Sequence, residues 1–186
     1  MGIEEDLAVA GLTVLGEYNG SGTLVPALLT GQAPSCPAEE RWSESTLDTT
    51  DPQLVEKANA DWYRMSIEAG LFLATDRRFL LAHQAGEDEP SRWICVELQN
   101  PWDIVGKGAA GTLGSRSGCP EFRMLAMDGS VLACGTTNQT TIDIFLVKDP
   151  NRSEIFRLFA SGLVSDEYLH PEDAAKIRDW LDYVEG

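Results

Sequence analysis

Apolar residues recur at two different periods along the chain, and the change of period divides it. Ile3, Leu7, Ala10 and Val14 fall at helical intervals behind Glu4, Glu5 and Asp6, acids that suit the positive end of a helix dipole. This spacing predicts a short amphipathic helix over residues 3–15. A turn at Tyr18–Gly22 and an apolar, strand-like run at Thr23–Leu29 follow. Residues 30–51 are rich in Pro, Ser, Thr, Gly and Glu without clear period, and read as a long irregular connection. Asp51-Pro52 then reads as a cap followed by proline. Leu54, Val55, Ala58, Trp62 and Met65 continue at helical spacing, so a helix is expected over about 52–66, with Gly70 as its stop.

From Leu71 onward the period is that of strands. Leu71–Ala74 and Phe79–Ala82 flank the polar Thr75–Arg78 and read as a tight hairpin. Strands are also expected at Arg92–Leu98, Trp102–Val105, Glu121–Met127, Ser130–Gly135 and Ile142–Val147, with Asp128-Gly129 as a hairpin turn. Residues 106–120 are glycine-rich and irregular. Asp149-Pro150 repeats the cap-and-proline signal before a helical stripe of Ile155, Phe156, Phe159 and Leu163. A last helix begins near Pro171, with Ala174, Ile177, Leu181 and Val184 on one face and Trp180 beside them.

This order resembles the bacterial pleckstrin-homology-like domains. The resemblance rests on Leu71-Phe72-Leu73-Ala74-Thr75-Asp76-Arg77-Arg78-Phe79-Leu80-Leu81, similar to that family's pattern of apolar strand, Thr-Asp-Arg-Arg, apolar strand. It also rests on the strands-then-helix order that follows. It covers residues 71–163. It implies an α+β protein whose core is a partly open antiparallel β-barrel capped by a C-terminal helix, with extra helices at both ends. The expected organisation is an N-terminal helical and irregular extension over 1–70, the barrel and capping helix over 71–163, and a C-terminal helical extension over 164–186.

Composition narrows the function. The 186 residues are 43% hydrophobic and 24% charged, which is ordinary for a globular chain, but the formal net charge is −16. The charge is −9 over residues 1–70, −2 over 71–148 and −5 over 149–186. So acidic a chain argues against direct nucleic-acid binding and against docking on anionic membranes, both of which need a positive field. The acidic start does not fit a secretory signal and no run approaches transmembrane length, so a cytoplasmic location and no membrane contact are expected.

Motifs for chemistry are weak. Gly106–Gly111 matches G-x-G-x-x-G, but no helical pattern opens after it, so a flexible loop is the better reading. The run Glu87-Asp88-Glu89 lacks EF-hand spacing and reads as a solvated loop. Cys36, Cys95, Cys119 and Cys134 contain no C-x-x-C, and with only His83 and His170 a structural zinc is disfavoured. Cys95 and Cys134 lie in apolar runs, whereas Cys36 and Cys119 each precede proline and read as candidate exposed thiols. Cys119 with His83 is a conceivable dyad with nothing to fix its geometry. No catalytic residue, metal or cofactor is expected.

The leading expectation is therefore a non-enzymatic protein-binding or regulatory module. It would act through an exposed strand edge, the groove beside the C-terminal helix, or an acidic face. The candidate contact residues are Arg77, Arg78, Lys107 and Trp42, the last an aromatic in an otherwise polar segment. Two alternatives stand beside it. One is a small anionic ligand or phosphate binder using Arg77, Arg78 and Lys107. The other is an acidic inhibitor that mimics nucleic acid toward a basic protein.

Overall fold

A computed structural model describes residues 2–20 and 22–186. The chain is mixed α+β, built on a seven-stranded antiparallel sheet. Its strands are β1 (Leu12–Glu17), β2 (Arg41–Asp48), β3 (Arg78–His83), β4 (Arg92–Leu98), β7 (Phe122–Leu125), β8 (Val131–Thr137) and β9 (Thr141–Lys148). Between β4 and β7 in sequence, β5 (Gly114–Arg116) and β6 (Cys119–Pro120) form a separate small hairpin. The order across the sheet is β1-β4-β3-β7-β8-β9-β2. The sheet is open: β1 and β2 are its two edges, and each pairs with one neighbour. Both edge strands come from residues 1–70.

Helices cover both faces. The helices are α1 (Ile3–Val9), α2 (Leu54–Ala69), α3 (Glu154–Leu163) and α4 (Pro171–Glu185). The two-residue alternation of a strand sends Phe79, Leu81, Val96, Met124, Ile144 and Leu146 to one face, where Leu7 of α1 and Trp62 of α2 join them. It sends Leu80, Trp93, Leu132, Phe145 and Val147 to the other, against Phe156 of α3 and Trp180 of α4. That is why Phe79-Leu80-Leu81 is apolar without alternation: each of its faces is buried.

Helix α2 follows its sequence closely. Leu54, Ala58, Trp62 and Met65 form one buried stripe. Asp51 accepts the Gln53 N–H at 2.8 Å and pairs with Lys57 at 2.6 Å, although the helix proper starts at Leu54. Gly70, at φ +83°, lets its own N–H and that of Leu71 fold back onto the Ser66 carbonyl, closing the helix. The Asp128-Gly129 turn is also present, with Gly129 at φ +78° and the Asp128 carboxylate taking the Ser130 N–H at 2.9 Å.

Several expectations are corrected. The first helix ends at Val9, because Gly11 at φ +81° turns the chain into β1. The run at Thr23–Leu29 is not a strand. Pro26 precedes a 3₁₀ segment, Ala27–Ser35, that buries Leu29 and Ala33 with Val25 against the α3 side of the sheet. Residues 41–48, expected to be irregular, are β2. Leu71–Ala74 is not a strand either, and the hairpin around Thr75–Arg78 is absent. Leu73 and Asp76 instead exchange backbone hydrogen bonds at 2.9 and 3.2 Å in a tight turn. Leu71 and Phe72 drop into the core beside Trp62, and β3 pairs with β4 and β7. Trp102–Val105 gives way to a π-helical turn, Ile104–Gly108. The chain after Asp149 enters α3 through a 3₁₀ turn, Pro150–Arg152.

Candidate functional site

Strand β2, like β1 at the other edge, has a neighbour on one side only, so its outer backbone is left unfinished. Thr49 donates its N–H to the Thr140 carbonyl at 2.8 Å. The register Leu47↔Ile142, Ser45↔Ile144, Ser43↔Leu146 continues that alternation. The polar backbone groups of Ser43, Ser45 and Leu47 therefore face β9, and those of Glu44 and Thr46 face away from the sheet. Among the described residues nothing pairs with the outward groups of Glu44 and Thr46, whereas the Asp48 carbonyl is used by the Asp51 N–H at 3.1 Å. The opposite edge, β1, is interrupted halfway by a bulge between Val14 and Gly16. On β2 the irregularity is confined to its start, between Arg41 and Ser43, so Ser43–Asp48 runs straight.

The side chains of β2 explain why its sequence hid it. Leu47 packs on the core under α2, but Ser45 on the same face gives its hydroxyl to Asp61 of α2 at 2.6 Å. Trp42, Glu44, Thr46 and Asp48 are exposed. An edge strand with one core apolar residue gives no hydrophobic period to read. Along the outer face, Thr46 donates to Asp143 at 2.7 Å and Arg41 pairs with Glu44. The Arg41 guanidinium also lies 4.3 Å from the Phe145 ring centroid. At the bulge Trp42 is 42% exposed, with the Lys148 ammonium 4.7 Å from its ring centroid.

The sequence-derived candidates are placed apart. Arg78 makes two hydrogen bonds of 2.7 Å to Asp76, which holds the Asp76 carboxyl below its usual pKa and occupies the guanidinium fork. Arg77 lies with its guanidinium 5.9 Å from the Tyr63 ring, which stacks on Trp102. Lys107 lines a cavity of about 410 Å³ that Trp102, Val9 and Gln99 also line. Trp42 is on β2, with β7, β8 and β9 between it and the strand of Arg78.

The glycine-rich loop shows what its amides do. The Asp103 carboxylate accepts the N–H groups of Gly106 at 2.8 Å and Lys107 at 3.0 Å, and the Asn59 side-chain amide at 2.7 Å. The amides that a dinucleotide phosphate would need are turned onto the chain's own anion. Partial burial pushes the Asp103 carboxyl up, but the three hydrogen bonds outweigh this and hold it below its ordinary value. A depressed folded-state pKa gives stability that is present above the unfolded carboxyl value, near 4, and is lost as pH falls through the folded value. We expect Asp103→Asn to lower stability at pH 7 by about 1–3 kcal/mol, and the gap to the parent to close on acidification, measured by urea unfolding across pH. A gap independent of pH would count against the carboxylate as the cause.

The remaining reactive groups are separate. All four cysteines are unpaired. Cys36 and Cys119, expected as exposed thiols, are both buried. Cys36 lies 3.7 Å from the Ser153 hydroxyl, which itself donates to Glu40 at 2.7 Å, and burial raises its thiol pKa. The Cys119 sulfur accepts from Arg116 at 3.1 Å on the β5–β6 hairpin. His170 caps α4 by accepting the Glu172 N–H at 3.2 Å, and burial lowers the pKa of His83 at the end of β3. Among the described residues no group of three or more His, Cys, Asp or Glu is placed to hold a metal ion. No helix among them is long and apolar enough to cross a membrane. No protein-family model matches the chain, and no curated protein or solved structure matches it.

Proposed function

We propose that this protein is a non-enzymatic binding module that takes an extended segment of a partner protein along the outer edge of β2. One observation carries the reading: among the described residues the outward backbone groups of Glu44 and Thr46 lie unpaired on a straight run of edge strand. Unfinished edges of this kind pair with another chain unless they are blocked. Trp42, half in solvent at the start of that edge, supplies an aromatic contact where the partner strand would end. The four unpaired cysteines agree with a reducing, cytoplasmic setting. On this reading the scaffold is grouped with the pleckstrin-homology-like modules, on the order of strands from Arg78 to Lys148 followed by α3.

The anionic-ligand alternative draws less support, because the Arg78 fork is occupied by Asp76 and lies away from Lys107's cavity lining. The test is affinity capture from the native host with the parent chain, Thr46→Pro and Arg78→Glu. Proline at position 46 removes an N–H that has no partner among the described residues, so the sheet keeps its ladder while the edge loses a donor. A protein captured by the parent and by Arg78→Glu, but lost with Thr46→Pro at a melting temperature lowered by only a few degrees for the lost Thr46–Asp143 bond, is the expected result. Capture that survives Thr46→Pro and is lost with Arg78→Glu would move the site to the arginines.

A further inference from the structure

We infer that the partner strand is basic, carrying Lys or Arg at alternate positions on the face it shares with Thr46. This rests on the strand-addition reading above and specifies the chemistry of the occupant. The face in question presents Glu44, Thr46 and Asp48 on β2 and Asp143 on β9. Glu44 is neutralised by Arg41. Among the described residues Asp48 and Asp143 have no cationic partner in an ion pair. Asp48 is bonded to the Thr50 N–H and hydroxyl, and Asp143 to Thr46 and Asn138. The Thr50 bonds hold the Asp48 carboxyl below its usual pKa, so it stays charged at neutral pH. On the far side of the edge, Arg64 of α2 already pairs with Asp61 and Glu68, and Lys57 with Asp51. Lys148 is held over Trp42, at the start of the strand.

An added strand places its side chains about 4.5–5.5 Å from those directly opposite and about 7–8 Å from the diagonal ones. Alternate cations on the Thr46 face therefore come within reach of Asp48 directly and of Asp143 across the width of β2. The same residues disfavour a second copy of this chain. Antiparallel pairing of two β2 edges about Thr46 sets Glu44 of each copy opposite Asp48 of the other, and each copy carries a net charge of −16. The edge is thus open to a strand of opposite charge and closed to its own kind.

Three fluorescein-labelled seven-residue peptides test this by anisotropy with the full chain: alternating Lys-Val, alternating Ser-Val and alternating Glu-Val. The Lys-Val peptide is expected to bind about tenfold tighter than Ser-Val at low salt, and Glu-Val least. Raising the salt to about 0.5 M shrinks that advantage. Asp48→Asn with Asp143→Asn should narrow the preference while Ser-Val binding persists. Thr46→Pro should abolish binding of both. Equal binding of Lys-Val and Ser-Val, both lost with Thr46→Pro, overturns the basic partner and leaves the edge as the site. Lys-Val binding that is indifferent to Thr46→Pro is adhesion to an acidic surface and overturns the edge itself, as does failure of all three peptides to bind.

Discussion

Trp62→Ala is expected to cost about 3–5 kcal/mol of unfolding free energy, and Trp62→Phe far less. Trp62 is fully buried at the centre of an aromatic cluster, with ring centroids at 5.8 Å from Phe72, 6.4 Å from Phe79 and 5.4 Å from Trp102. It ties α2 to β3 and to the turn that replaced the expected strand at Leu71–Ala74. Alanine empties that junction, and three neighbouring rings cannot collapse into the space without leaving their own contacts. Phenylalanine keeps a ring there and removes an indole N–H that no described residue accepts. The desolvation cost of that group, about 1–3 kcal/mol, offsets part of the lost volume. Trp180 provides the contrast. It is equally buried, but its indole N–H donates to Asn151 at 2.8 Å, and Asn151 in turn donates to the Thr23 carbonyl. Trp180→Phe leaves Asn151 without its donor, and should cost more than Trp62→Phe by about 1–2 kcal/mol. Urea unfolding of the three variants checks the order, and Trp62→Phe costing as much as Trp62→Ala would refute the role given to the unpaired N–H.

The second large effect is Gly11→Ala. Gly11 sits at φ +81°, a region that costs an L-residue about 1–2 kcal/mol. A Cβ there would also lie 2.6 Å from the Pro101 carbonyl oxygen and 2.7 Å from the Trp102 Cα. Those are backbone atoms, held in place because the Gln99 N–H bonds the Gly11 carbonyl at 2.8 Å and the Asp103 N–H bonds the Ala10 carbonyl at 3.0 Å. The clash can be relieved only by parting α1 and β1 from the loop after β4. Gly16 is the control: its φ is +134°, but a Cβ there meets nothing within 4 Å. Gly11→Ala should lower the melting temperature by about 10 °C or more, and Gly16→Ala by only a few degrees. Equal shifts would show that conformational strain alone, without the clash, sets the cost at Gly11.

Much of this architecture is legible in the residues. The α2 stripe, the Gly70 stop, the Asp128-Gly129 turn and the two C-terminal helices all follow from local spacing and local backbone chemistry. The unread parts depend on distant partners. Leu71–Ala74 is as apolar as a strand because Leu71 and Phe72 fill the space beside Trp62, and an apolar run states only that it is buried. The strand at Arg41–Asp48 is polar because it lies at the rim, where Ser45 answers Asp61 of α2, and the strand it pairs with, β9, lies far along the sequence. Helices on both faces erase the alternation that would have marked β3. Among the candidate contact residues, Trp42 stands out in sequence as an aromatic in a polar segment. The open edge beside it does not, because unpaired backbone groups leave no mark in side-chain composition.

The direct measurement of the central claim is residue-resolved amide hydrogen exchange along β2, with and without the Lys-Val peptide. In the free chain the amides of Ser45 and Leu47, bonded to β9, should exchange slowly, and those of Glu44 and Thr46 fast. On adding the peptide, Glu44 and Thr46 should slow by at least about tenfold, since each gains a ladder hydrogen bond. Glu44 and Thr46 amides already protected in the free chain, or unchanged by a peptide that binds, would contradict the account.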